Sequence, residues 1–347
     1  MTKKKHSKFF PTVSVCTPTF NRRPFINMMF ECFKNQTYPK NKIEWIIIDD
    51  GTDKIKDLIE TSGISQIKYY ELETKLTLGA KRNLMHEKTS GDIIVYMDDD
   101  DYYPPERIQH AVDKLLENPD ILIAGGSEMY IYFKHISKMY QCGPYGKYHA
   151  TAATFAFKKE LLNITKYNDL KSLAEEKEFL KDYTIPMVQL DPFKTILVFS
   201  HNHNTFDKKE LLNNQNEFFK ESNSKVEHFI KFTKEAHIKK FFMYDIENIL
   251  EEYIPGSPDM KPDVLKQLKE RKILKLNEAL KHFHTHFIKC LFELECNISD
   301  IKPISEIDFL KKLNMELIIK IKNLNETLSQ KDLEIKQLKD KEWDLLN

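Results

Sequence analysis

Over its first half the chain alternates short apolar runs with amphipathic stretches, the pattern of an α/β sheet, and from 151 to 201 the pattern is more mixed. Strand-like runs fall at residues 12–17, 43–48, 68–72, 93–97 and 121–124. Ile46-Ile47-Ile48 and Ile93-Ile94-Val95 are continuous rather than alternating, as expected of strands buried on both faces. Between the runs the spacing predicts helices. The clearest places Ile108, Ala111, Val112, Leu115 and Leu116 on one face, with Pro105 pre-set at its start. Further strands are expected at 152–157, 184–190 and 195–200, with two short helices between the first and second. Past about Asp207 the chain turns helical and rich in Lys and Glu, broken at Pro255-Gly256-Ser257-Pro258.

The last ~40 residues carry a different period, a heptad. Its a positions are Ile307, Asn314, Ile321, Leu328, Ile335 and Glu342, and its d positions Leu310, Leu317, Leu324, Lys331, Leu338 and Leu345. Ile at a with Leu at d, and one Asn at a, is the preference of a parallel two-stranded coiled coil, so a homodimer is expected. The chain therefore divides into a sheet domain over 1–220, a helical extension over 221–299 and a coiled coil over 300–347.

Charge narrows the choice of partners. The 53 Lys and Arg balance 53 Asp and Glu, which leaves no basic field for nucleic acid. Cys16, Cys32, Cys142, Cys290 and Cys296 are odd in number and lack CxxC spacing, so neither a disulfide framework nor a zinc knuckle is expected. No apolar run approaches the ~18–20 residues that span a bilayer, and the chain reads as cytoplasmic.

The densest chemical signal is Asp98-Asp99-Asp100-Asp101, directly after a buried strand. Four adjacent carboxylates repel one another and become reasonable around a divalent cation, Mn²⁺ or Mg²⁺. An EF-hand is excluded: counted from Asp98, the sixth position is Tyr103 and the twelfth Gln109, where that loop needs Gly and Glu. Asp49-Asp50-Gly51-Thr52 closes another apolar strand, and a carboxylate there can accept a hydrogen bond from an imide N–H such as uracil's. In Thr17-Pro18-Thr19-Phe20-Asn21-Arg22 a strand runs into a loop whose backbone is free to meet a planar base. In Gly79-Ala80-Lys81-Arg82-Asn83 two cations follow a glycine at a helix start, which suits a diphosphate.

In this order and spacing the four segments resemble the family 2 glycosyltransferases over roughly residues 10–205. The resemblance implies a GT-A fold, a nucleotide-binding α/β half joined to an acceptor half, and metal-dependent inverting transfer from a nucleotide-sugar. One departure is Lys81, where the family usually has Ala. The resemblance puts the metal on Asp100 and brings Asp98 or Asp99 to the ribose or a metal-bound water. It makes Asp50 the base reader, favouring a UDP-sugar, and sets Arg82 near the diphosphate. The general base falls within Glu175-Glu176, with Glu176 at the place of the family's Asp. A late His, His201 by spacing and His203 next, would complete the metal shell or touch the phosphates. The acceptor, a glycan, protein or lipid, is left open. The alternative is a GT-A-like module without transfer activity, assembled by its coiled coil.

Overall fold

The isoleucine-rich runs form the middle of a seven-stranded sheet in the computed structural model, which describes residues 9–205, 207–213, 216–275, 277 and 278. The coiled coil expected over 300–347 and the last part of the extension expected to end at 299 lie outside the described residues. In chain order the strands are β1 (Val13–Thr19), β2 (Ile43–Asp49), β3 (Ile67–Glu71), β4 (Ile93–Tyr96), β5 (Ile123–Gly125), β6 (Met129–Phe133), β7 (Lys138–Cys142), β8 (Ala156–Lys158), β9 (Met187–Gln189), β10 (Leu197–Ser200) and β11 (Phe219–Ser222). The large sheet runs β3-β2-β1-β4-β8-β5-β9. Its first four strands are parallel, β8 is antiparallel to both neighbours, and β9 runs parallel to β5.

Parallel neighbours need crossovers, and helices supply them. α1 (Arg23–Asn35) links β1 to β2, α2 (Lys56–Thr61) links β2 to β3, and α3 (Leu78–Lys88) links β3 to β4. α1 starts on Pro24 and buries Phe25, Ile26, Met29, Phe30 and Phe33, the last stacked on Trp45 at 4.2 Å. α4 (Arg107–Glu117) buries Ile108, Ala111, Val112 and Leu115 as expected. Leu116 does not join them; it lies at the rim, 42% exposed. The register pairs Thr19 with Asp49 and Cys16 with Tyr96, so the motifs that end β1, β2 and β4 share the carboxyl edge of the sheet. Ligands bind at that edge in open α/β sheets.

Three expected strands are shorter than their apolar pattern. The run at 152–157 begins as a 3₁₀ turn, because the Thr154 hydroxyl donates to Thr151 O at 2.6 Å and accepts from Gly126 N at 2.8 Å. Pro186, without an N–H for the ladder, precedes β9, and only 187–189 pair. The run at 195–200 pairs from Leu197 only, because Thr195 closes a 3₁₀ turn on Pro192 O and its hydroxyl donates to Asp191 O at 2.7 Å.

A second sheet, β10-β6-β7-β11, was not expected. β11 even lies in the helix-rich stretch: pairing with β7 and stacking of Phe219 on Tyr140 at 5.0 Å override local propensity.

Residues after 220 stay with the sheets, and one compact unit extends to Ile273. α5 (Glu176–Phe179) and α6 (Ala236–Lys240) are short; α7 (Ile246–Glu252) packs on α1. Among the described residues no helix is long and apolar enough to cross a membrane.

Candidate active site

The loop after β1 is shaped by its side chains. The Thr17 hydroxyl donates to Met97 O at 2.6 Å and accepts from Trp45 Nε1 at 2.9 Å, tying β1 to both neighbours. Asn21 turns the chain at φ 52°, a conformation Asn tolerates. Its amide donates to Pro255 O at 2.8 Å and its carbonyl accepts from Asp53 N at 2.9 Å. Thr19 offers its carbonyl to Lys81 Nζ at 3.0 Å. These are structural bonds, and among the expected residues of this loop only Pro18 and Arg22 line the cleft beside it.

The two carboxylates that follow β2 divide their work. Asp49 is consumed by its own turn, accepting from Gly51 N at 2.9 Å, Ile55 N at 3.1 Å and Tyr69 Oη at 2.7 Å. Asp50 accepts from Leu76 N at 2.7 Å and is ion-paired with Lys81. Lys81 lines the cleft and Asp50 does not. Gly79 also lies away from the cleft. Its N–H donates to Lys171 O at 2.8 Å, and a Cβ there would come 2.1 Å from Asn168 O. The next amide, Ala80 N, is capped by Thr77 Oγ1 at 3.2 Å. The helix-start amides expected to hold a diphosphate therefore hold a loop and a cap.

The acidic run after β4 meets cations on both sides. Asp100 Oδ2 is 3.4 Å from Arg22 Nη2 and 3.4 Å from His201 Nε2, while Asp99 Oδ1 is 3.7 Å from Arg22 Nε. Asp98 Oδ1 is 3.8 Å from Arg82 Nη2, and Arg82 Nε donates to Glu175 Oε1 at 3.0 Å. The Arg82 guanidinium lies 4.5 Å over the Tyr96 ring. Burial raises Asp98, and it raises Asp99 to about 7 with help from the Asp100 charge. Asp100 goes the other way: burial opposes ionisation, but the His201 hydrogen bond and the Arg22 charge hold it well below the usual range.

Burial brings His201 down to about 4, so the ring is neutral, as a metal ligand must be. His203 points elsewhere. It presents its carbonyl to Arg22 Nη2 at 2.8 Å and its ring to Tyr253, with centroids 6.2 Å apart.

Glu175 is buried against Arg82, whereas Glu176 opens α5 and is partly buried. Burial, then the Glu175 charge, raises Glu176 to about 7. Neither lines the cleft; Arg82, which does, joins them to it.

The cleft encloses about 130 Å³ and is open to solvent on one side. Phe20 and Lys81 line it from within the sequence motifs, whereas Lys75, Lys261 and Asp263 line it from outside them. Lys75 and Lys261 sit in stretches whose charge pattern resembles any solvated face.

The donor set suits a divalent cation. Asp98 Oδ1, Asp99 Oδ2 and Asp101 Oδ1 are buried with no hydrogen-bond partner among the described residues, and Asp100 faces a neutral imidazole. As they stand, no three His, Cys, Asp or Glu side chains among the described residues converge on one point.

A mixed sheet with a cation-lined, carboxylate-bearing cleft at its carboxyl edge defines a nucleotide-binding α/β domain. Residues 14–166 match the family model described as Glycosyl transferase family 2. An uncharacterized glycosyltransferase of Haemophilus influenzae is 30% identical over 118 residues, 33% of this chain and 46% of that protein. The poly(ribitol-phosphate) beta-N-acetylglucosaminyltransferase TarS of Staphylococcus aureus is 28% identical over 114 residues, 32% of this chain and 20% of that one. The match thus spans less than half the length of either curated relative. Similar solved structures include S. aureus TarS 1–349 in complex with UDP-GlcNAc, with a TM-score of 0.43 and 20% identity, covering 54% of this chain and 58% of that one. Another is a mannosyltransferase from Pyrobaculum calidifontis in complex with GDP-Man and Mn²⁺, with a TM-score of 0.44 and 18% identity, covering 55% and 57%.

Proposed function

We propose that the chain is an inverting glycosyltransferase of GT-A type, moving a sugar from a UDP-sugar to an acceptor hydroxyl. The observation that supports this best is the meeting of Asp100, Arg22 and His201 within 3.4 Å at the carboxyl edge of the sheet. The family match over residues 14–166 supports glycosyl transfer. A departing diphosphate needs positive charge, and Arg22 and Arg82 line the cleft where it would lie. Asp100, His201 and Asp98 would hold Mn²⁺ or Mg²⁺, which when bound supplies further positive charge to the leaving group. Pro18 and Phe20 offer apolar faces to the base. Glu176 takes the acceptor proton as the acceptor oxygen bonds to the anomeric carbon and the bond from that carbon to the diphosphate breaks. A carboxyl near pH 7 suits that task. Glu175, fixed on Arg82, positions its neighbour and links the acceptor side to the donor side.

The test is transfer and donor hydrolysis with Mn²⁺ across UDP-, GDP- and TDP-sugars, in wild type and Asp100→Ala. Turnover of a UDP-sugar that Asp100→Ala and a chelator both abolish is expected. Failure to bind any nucleotide-sugar would sink the reading, and tighter GDP than UDP binding would reject the uridine donor.

We further propose that the heptad over residues 300–347 joins two chains. The free, buried thiols of Cys16, Cys32 and Cys142 support a cytoplasmic location.

A further inference from the structure

The cleft is closed on one side by a segment far along the chain. Pro255 O accepts from Asn21 Nδ2 at 2.8 Å, and Gly256 O from Arg22 Nη1 at 3.3 Å. Glycine is required there, since a Cβ would come 2.6 Å from Asn21 O and 2.9 Å from His203 Nδ1. Downstream, Asp263 pairs with Lys75 Nζ at 2.6 Å and accepts from Ser172 Oγ at 2.6 Å. Gln267 accepts from Ser172 N at 2.9 Å and donates to Leu170 O at 2.8 Å. Residues 255–267 are thus a strap fixed at both ends, and Lys261 lies between the anchors.

Lys261 is 5% exposed and lines the cleft together with Arg22, Arg82 and the acidic run. The other two cleft lysines each hold a carboxylate: Lys75 has Asp263 and Lys81 has Asp50. The Lys261 ammonium makes one hydrogen bond among the described residues, to Thr205 Oγ1 at 3.1 Å, and has no carboxylate within 4.0 Å there. A buried ammonium with two N–H donors to spare, repelled by Arg22 and Lys81 and drawn only from a distance by Asp100 and Asp99, is costly unless an anion completes it. Burial and the Arg22 charge depress its pKa well below the usual value, and a bound anion would restore it.

We propose that Lys261 is a phosphate-binding residue of the donor site, carried in by the 255–267 strap to hold the diphosphate of a nucleoside diphosphate or its sugar. This rests on the donor reading above and adds a third cation to Arg22 and Arg82, from outside the 14–166 family segment. Asn21 and Arg22 thereby gain a second task, since they seat the strap.

Calorimetric titration of the full chain with uridine, UMP and UDP, in Mn²⁺, separates the possibilities. Lys261→Met is expected to weaken UDP by roughly 10- to 100-fold, the loss of a charge-assisted contact, and leave uridine unchanged. Lys261→Arg should recover most of the UDP affinity. Lys261→Gln provides the same comparison if the Met variant melts early, and Lys272→Met, on the exposed pair with Glu210, should change nothing. Equal UDP affinity in wild type and Lys261→Met overturns the assignment, as does an equal loss for uridine and UDP, which marks a merely structural lysine. Tighter Mn²⁺ binding in Lys261→Met without loss of UDP affinity also overturns it, and shows a lysine that only balances Asp99 and Asp100. A wild type that binds uridine but shows no gain for UDP overturns the phosphate role, while one that binds no nucleotide at all overturns the donor reading with it.

Discussion

The carboxylates in and behind the cleft differ by what each one touches. Asp100 is held ionised by His201 and Arg22, Asp99 rises to about 7, and Glu176 rises to the same level through burial and Glu175. A general base acts as the carboxylate, so transfer should fall as pH drops through about 7 and level off above it. Glu176→Gln should lower kcat by ~10²–10⁴ with donor affinity near wild type, and remove that acid limb. A fully active Glu176→Gln beside a dead Glu175→Gln would move the base by one residue. Asp50 and Lys81 form the second coupled pair. Asp50→Ala strands a buried ammonium and should cost about 3–5 kcal/mol in urea unfolding. Lys81→Ala in the same chain should return much of that, and a double mutant as unstable as the sum would deny the coupling. The acidic run was legible because four adjacent carboxylates at a strand end have few other uses. The division between Asp49 and Asp50 was not, since it depends on which backbone N–H groups the turn presents.

Among the elements, the parallel strands were legible wherever burial on both faces left a continuous apolar run, as in β2 and β4. The second sheet was hidden because its pairing is long-range: β11 is four residues in a charged stretch and exists through β7. Gly79 shows the same limit. It looks like a phosphate-loop glycine, yet its job is to let α3 touch the 168–171 loop. Gly79→Ala should therefore destabilise the fold by about 1–3 kcal/mol through overpacking. It should also lower kcat more than donor affinity, because the displaced loop leads into Glu175 and Glu176. Unchanged unfolding midpoint and kcat in that variant would show that the contact yields freely.

At the scale of the whole molecule, the unit that ends at Ile273 builds its cleft from residues as far apart as Pro18 and Val264, so the strap cannot be cut away without opening the cleft. The proposed coiled coil makes the opposite claim, that residues beyond 300 serve assembly and not chemistry. Ile321 and Ile335 at a with Leu324 and Leu338 at d favour two strands, and Asn314 at a fixes their register by pairing with its copy. Lys331 at d and Glu342 at a interrupt the seam. Glu334 at g can meet Lys339 at the following e of the partner, though an exposed pair of that kind adds only ~0.3–0.5 kcal/mol. The association should accordingly be concentration-dependent. Sedimentation of the full chain should show a dimer at tens of micromolar that dissociates on dilution, while a chain ending at Ile301 stays monomeric and keeps its donor affinity. A full-length monomer across that range would return the heptad stripe to a role within one chain, and a truncated chain that still dimerises would place the contact on the sheet unit.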